Sequence, residues 1–223
     1  KTGAAKSNAF RELLTTPISI YYCPSRRRVG LYEQRSRTDP SKQWTYNHPD
    51  DPGYIADIVK CDYAFNGGPN QYKASNGALY HAGPSTVAAA ATHNFPDNSQ
   101  SNGMLWWRSE YSTAHVVDGT SNTLLIGEKG FDPAFADSWQ AGDPQSPYIG
   151  YDPDIYRLAG PNFPLHRDDP GTSGFWNFTG PHLGGCVFVY VDGSVHVIPW
   201  NVDLTVYGYL SNRRDEKAFT NDF

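Results

Sequence analysis

The stretch that most narrows what this chain can fold into is Gly180 to Trp200. Six consecutive apolar or aromatic residues, Cys186 to Val191, run into Asp192-Gly193-Ser194, and a second β-rich run, Val195 to Ile198, comes straight out. An Asp-Gly between two such runs signals a hairpin, because glycine accepts the positive φ that a tight turn between twisted strands demands. In the first strand Val187, Val189 and Val191 point one way and Cys186, Phe188 and Tyr190 the other. With no polar face, this strand is expected in the middle of a sheet, covered on both sides. None of its residues has the character of a reacting group.

The remaining sequence suits short strands joined by turns and long loops. Its 223 residues are enough for one sizeable core, and they are rich in Gly (21), Pro (17) and aromatics (14%). Only 18% are charged, against roughly 25% for an average soluble domain. A net charge of −5 argues against a nucleic-acid partner, since that affinity needs surplus Lys and Arg to displace counterions. The one basic run, Arg26-Arg27-Arg28, reads as a solvated loop. No stretch of 18 or more apolar residues is present and no signal peptide is visible. The abrupt opening on Lys1-Thr2-Gly3 suggests a processed or truncated product.

Cys23, Cys61 and Cys186 fit no zinc pattern: none forms a Cys-x-x-Cys pair, and the spacings are 38 and 125. In an oxidising compartment the natural reading is one disulfide, Cys23–Cys61, with Cys186 buried in its strand. Three reduced, buried thiols is the alternative.

In chain order, Ala4 to Leu14 carries helix formers with Phe10, Leu13 and Leu14 at helical spacing, stopped by Thr15-Thr16-Pro17. Ile18 to Cys23 reads as a strand, and Ser25 to Pro52 as a long polar excursion. Short apolar pieces follow at Ile55 to Val59 and Cys61 to Asn66, then an alanine turn at Ala88 to Ala91. A turn at Asp118-Gly119-Thr120-Ser121-Asn122 feeds a β-run, Thr123 to Ile126. Phe131 to Asn177 is again loop, with seven prolines, and Leu204 to Leu210 is a short amphipathic piece before a charged tail.

Candidate chemistry is sparse. His182 and Asp192 lie at opposite ends of one strand, separated by about ten residues at roughly 3.3 Å each, so they cannot touch within a chain. Structural roles are expected for both: Asp192 in the turn with Gly193, and His182 fixing the strand entrance before Gly185. Ser121 lacks the Gly-x-Ser-x-Gly elbow of a nucleophile and reads as a turn residue beside Asp118 and Gly119. The loop acids, with Asp143, Asp152 and Asp154 as the leading candidates, could hold Ca²⁺, but the EF-hand spacing is missing and solvated acids are the plainer reading. The tryptophans are at 44, 106, 107, 139, 176 and 200. Of these, Trp106, Trp107 and Trp139 could stack on sugar rings if exposed, or else simply pack.

Four stretches carry a family resemblance, in order: Tyr22-Cys23-Pro24-Ser25-Arg26-Arg27; Asp62-Tyr63-Ala64-Phe65-Asn66-Gly67-Gly68; Asp118 through Gly127-Glu128-Lys129; and His182, nine residues, then Asp192-Gly193. Gly150-Tyr151-Asp152-Pro153-Asp154 with Tyr156-Arg157 looks like a fifth. Together they resemble the planctomycete pseudopilin-like proteins, the domain of unknown function numbered 1559, also labelled solute-binding family 10. Such proteins typically begin with a type IV pilin-like leader and a long hydrophobic helix. The resemblance therefore implies a single α+β, pilin-like domain corresponding to the C-terminal two thirds of the family's globular part. That domain would have a mainly antiparallel sheet, long loops and one short N-terminal helix. Cys61 stands where the family more often has Thr or Ser. The function implied is a non-enzymatic subunit of a surface filament or secretion-type assembly, periplasmic or extracellular. Its partners would be other pilin-like subunits, and it would meet a membrane only through the N-terminal helix. The alternatives are a glycan- or solute-binding module with polysaccharide as partner and, least favoured, a hydrolase built on loop acids. No cofactor is expected beyond the calcium option.

Overall fold

A computed structural model of the chain describes residues 3–34, 55–71, 84, 86–95, 97, 99, 101–172 and 174–219. Trp44 and most of the polar excursion expected between Ser25 and Pro52 lie outside the described residues. The elements run α1 (Ala4–Leu14), β1 (Tyr32–Glu33), β2 (Asp57–Ile58), β3 (Tyr63–Asn66), α2 (Val87–Ala90), β4 (Leu124–Glu128), β5 (Tyr156–Arg157), β6 (His166–Arg167), β7 (Thr179–Gly180), β8 (Cys186–Tyr190), β9 (Val195–Ile198) and α3 (Leu204–Ser211). The architecture is α+β. A five-stranded sheet in the order β5-β3-β4-β8-β9 is antiparallel except for the β3/β5 pair, and two-stranded ribbons β1-β2 and β6-β7 accompany it.

The hairpin forms where the sequence placed it, with Cys186 opposite Ile198 and Val189 opposite Val195. Gly193 takes φ +87, and Asp192 Oδ1 accepts from the Ser194 amide (2.9 Å) and hydroxyl (2.6 Å), closing the turn. Within β8, Cys186, Phe188 and Tyr190 are fully buried. They meet Ala64, Leu124, Phe178 and Ile198, with Tyr207 and Leu210 of α3 packed above. Burying side chains of this size contributes roughly 1.5–3 kcal/mol each. Asp203 holds α3 over this core by accepting from the Thr205 (2.8 Å) and Val206 (3.0 Å) amides. The Phe178 and Phe188 rings cross edge to face at 5.0 Å directly beneath Gly127, where a Cβ would stand 2.3 Å from Phe188. Glycine at 127 is thus a packing requirement.

The expectation that both faces of β8 are covered is corrected. Val187 and Val189 are only half-buried, because the period-two alternation turns them to the side away from α3. β8 also lies one strand in from the edge; the central strand is β4. Ile18 to Cys23 is no strand either: Ser19–Tyr21 forms a turn of 3-10 helix, and Ile20 is left 77% exposed. α1 ends as expected, with the Thr15 and Thr16 hydroxyls donating to the Arg11 (2.9 Å) and Glu12 (2.7 Å) carbonyls. Its buried Leu14 packs on Ile55 and Ile58.

One irregularity lies in β4. Leu124 pairs with Tyr190 and Ile126 with Val189, two steps on one strand against one on the other, so the register shifts across Leu125.

The long loop from Phe131 to Asn177 is held by buried charge. Arg27 reaches Asp62 (2.7 Å) and Asp143 (2.8 Å), and Lys129 Nζ donates to Asp143 at 2.6 Å. Lys60 Nζ donates to the Asp143 carbonyl, and Arg157 donates to the carbonyls of Gly142 (2.9 Å) and Gly130 (3.2 Å). The reading of Arg26-Arg27-Arg28 as a solvated loop fails for its first two members, whose side chains are 1% and 2% exposed. Arg26 pairs with Asp168 (2.8 Å) and donates to the Thr179 (2.9 Å) and Asp62 (3.0 Å) carbonyls. Burial alone would push the Asp143 carboxyl up; Arg27, Lys129 and Lys60 override it and hold the group well below the usual carboxylate range.

Candidate functional site

Among the described residues, the side of the sheet opposite α3 is apolar and open. Because residues paired across strands share a face, Phe65, Ile126, Val189 and Val195 form one row and Val187 and Val197 a second. Phe65, Val195 and Val197 are 39%, 62% and 50% exposed. The inner part of this face is a groove of about 530 Å³, bordered by Ile20, Tyr21, Cys61, Tyr63, Pro147 and Ile155. An exposed apolar surface built across several strands usually marks an interaction site.

At one end of that face three chemically capable side chains converge. Glu128 follows Ile126 on the same side of β4, yet is 1% exposed because the segment after the 3-10 turn covers it. Its Oε1 lies 3.1 Å from His182 Nε2, and its Oε2 accepts the Val187 amide at 3.0 Å. Cys23 Sγ approaches the same His182 nitrogen at 3.9 Å. The three ligand-type atoms lie within 4.8 Å of one another. Burial, with the Glu128 charge added to it, pushes the Cys23 thiol up, and Tyr63 beside them rises to about 12 for the same reasons. Cys186 is close by but points its thiol at the Thr179 carbonyl, 3.3 Å away.

His182 therefore stands beside an acid of β4, and through Glu128 it is tied to the Val187 amide near the start of the hairpin. A cysteine–histidine–acid relay would place thiol and acid on different ring nitrogens. Here both address Nε2, which makes the three groups a cluster of donors around a common point.

The other anticipated site residues are scattered. All three cysteines are free, so the expected Cys23–Cys61 bridge is corrected: Cys23 turns toward His182, while Cys61 lines the apolar groove. Trp106 and Trp107 are buried at 5% and 8%, packed edge to face at 4.6 Å and against Tyr151, which removes them as sugar platforms. Trp139 is half-buried in a pocket of about 170 Å³ with Asp132, Phe135 and Gln140. Of the calcium candidates, Asp143 has both oxygens facing Arg27 and Lys129, a setting that repels a cation. Asp152 Oδ1 accepts the Asp154 amide at 3.0 Å, and Asp154 is buried. Asp118 binds the Asp215 (2.8 Å) and Glu216 (2.7 Å) amides beside Gly119, pinning the C-terminal segment. At Gly185 a Cβ would meet the Ile198 carbonyl oxygen at 2.1 Å.

Nothing in the sequence singles out Glu128, and Cys23 reads there as a disulfide partner. Each nevertheless sits in one of the ordered motif stretches, as does His182, and three ligand-type residues spread over three such stretches was the available signal.

No curated protein and no solved structure matches this chain. One family does: its model, described as a protein of unknown function (DUF1559) and named SBP_bac_10, matches residues 1–205, and the chain belongs to that family.

Proposed function

We propose that this protein is a non-enzymatic, extracytoplasmic, pilin-like subunit, and that the open apolar face of its five-stranded sheet is where it joins the rest of its assembly. The observation that carries this is the pair of apolar rows, Phe65–Ile126–Val189–Val195 and Val187–Val197, left without a covering layer among the described residues. Leaving such a surface in water forfeits roughly 25 cal/mol for every Å² that an apolar helix would cover, which favours association. An elongated apolar helix of the assembly suits a groove bordered by Ile20, Pro147 and Ile155. Burial of Cys23 and Glu128 and the shared His182 nitrogen support a non-catalytic reading of the cluster.

The test is assembly of the protein fused to a pilin-type apolar N-terminal helix, followed by light scattering and electron microscopy. Oligomers or filaments that disappear in Val189→Lys, with the circular dichroism spectrum retained, are expected. Monomers only, in the wild type as in the variant, would refute the proposal.

A second reading, solute binding, is favoured by a different feature. A cleft of about 530 Å³ is lined by Phe95, Arg108, Glu110, Tyr111, His115 and Arg214, giving it aromatic walls and charged groups. A glycan array would separate the two readings, since only this one requires a bound saccharide.

A further inference from the structure

We propose that Cys23 Sγ, Glu128 Oε1 and His182 Nε2 form a binding site for a zinc-class divalent cation, with a fourth coordination position open to solvent on the His182 side. The geometry comes first. Zinc binds sulfur at about 2.3 Å and nitrogen or oxygen at about 2.0–2.2 Å, so tetrahedral donors stand roughly 3.3–3.7 Å apart. The observed separations of 3.1 Å for Glu128–His182 and 3.9 Å for Cys23–His182 bracket that spacing. A cation seated between them needs only small side-chain adjustments.

The donors are also held in place from outside. Glu128 Oε2 is taken by the Val187 amide, which leaves Oε1 to face the other two. Gly180 makes room for this carboxylate, since a Cβ there would stand 2.7 Å from Oε2. The Cys23 backbone amide donates to Asp62 Oδ2 at 2.8 Å, fixing the residue from which the thiol projects. Outer-shell contacts of this kind orient ligands at metal centres.

Chemistry selects the class of ion. A thiolate with an imidazole prefers zinc and its neighbours to calcium or magnesium, and two anionic donors balance a divalent charge in a buried setting. Accessibility is one-sided: Cys23 and Glu128 are 2% and 1% exposed, whereas the His182 side chain is 37% exposed. Three protein donors and one open position result. The ion would also fasten together the segment at Cys23, the end of β4 and the approach to β8, which are distant in sequence. Binding should therefore stabilise the fold as well as occupy the site.

The experiment uses the untagged protein after chelation and dialysis, titrated with Zn²⁺ against a competing chromophoric chelator and, separately, with Co²⁺ under reducing conditions. One equivalent should bind, with a sulfur-to-cobalt charge-transfer band in the near ultraviolet. Zn²⁺ at about a hundredfold over its Kd should raise Tm by on the order of 5–10 °C. Cys23→Ser should abolish the cobalt band, and His182→Gln should weaken Zn²⁺ by about a hundredfold or more. The His182 side chain is partly exposed, so that variant is expected to keep the native dichroism spectrum even if Glu128→Gln does not. Absence of tight binding, absence of the band, or undiminished binding in Cys23→Ser and His182→Gln would each overturn the proposal. Loss of assembly in Val189→Lys with zinc binding intact would separate this site from the apolar face.

Discussion

Asp143→Asn tests whether the long loop is held by buried charge. The residue is 1% exposed, its two oxygens meet Arg27 at 2.8 and 3.3 Å, and Lys129 donates to it at 2.6 Å. The amide keeps the shape and removes the charge, leaving Lys129 with the Asp154 carbonyl at 3.2 Å and Arg27 with Asp62. Removing one partner of a buried pair typically costs about 3–5 kcal/mol, because the remaining charge stays out of water. Against a total stability on the order of 5–15 kcal/mol this is a large share. At about 2–4 °C per kcal/mol for a chain of this length, Tm should fall by roughly 6–20 °C. Urea unfolding followed by tryptophan fluorescence gives the free energy, provided the slope with denaturant is unchanged. Asp192→Asn, on an exposed turn and still able to accept the Ser194 bonds through its amide oxygen, serves as the reference and should leave the unfolding midpoint close to that of the wild type. Adding Lys129→Met to Asp143→Asn should recover part of the loss, with a coupling on the order of 0.5–3 kcal/mol. A loss below about 1 kcal/mol, the scale of a surface pair, would show that these charges remain hydrated and that the loop is anchored by something else.

Three further outcomes are expected. Gly127→Ala should cost about 1–3 kcal/mol in urea unfolding, because the added methyl overlaps the Phe188 ring; a neutral result would mean the Phe178–Phe188 pair is free to shift. Burial lowers Lys60 from 10.5 to about 8. Between those values the unfolded chain holds the extra proton, so this residue makes stability rise with pH through that window. Lys60→Met should remove that rise, so the wild type should gain on the variant between pH 7 and pH 10 in parallel melts; a constant difference would contradict this. Trp106→Ala should destabilise by about 3–5 kcal/mol and leave any glycan binding to folded protein unchanged, since the ring is enclosed by Trp107 and Tyr151.

Local signals gave the local elements. Apolar spacing with the Thr15-Thr16-Pro17 stop yielded the first helix to the residue, and Asp192-Gly193 yielded the hairpin. What sits on the far side of a strand is a tertiary matter: Val187 and Phe188 read alike as apolar, and only the position of α3 decides which is covered. Charge was the larger gap. Arg26 and Arg27 lie in a basic run just after Pro24, a local pattern typical of solvent, while their partners Asp168, Asp62 and Asp143 are 35 to 142 residues away. The cluster at His182 was hidden in the same way, since Cys23 and Glu128 are 159 and 54 residues from it. For the adjacent tryptophans the sequence leaves exposure and packing both open; in this loop both turn inward onto Tyr151.

The displaced pairing at Leu125 acts as a parity switch. Counted along β4, Leu124, Ile126 and Glu128 are all even and in an unbroken strand would share one side. With one residue looped out between them, Leu124 faces Tyr190 in the interior while Ile126 and Glu128 emerge opposite. Were Leu125 drawn into regular pairing with no residue lost, plain alternation would compel a choice, an isoleucine and a carboxylate driven into the packed half or a leucine expelled from it; deleting Leu125 would instead keep each neighbour on its present side. The looped-out residue is thus what lets Leu124 and Ile126, two apart in the chain, serve opposite sides of one sheet, with the Glu128 carboxylate at the rim within reach of the imidazole.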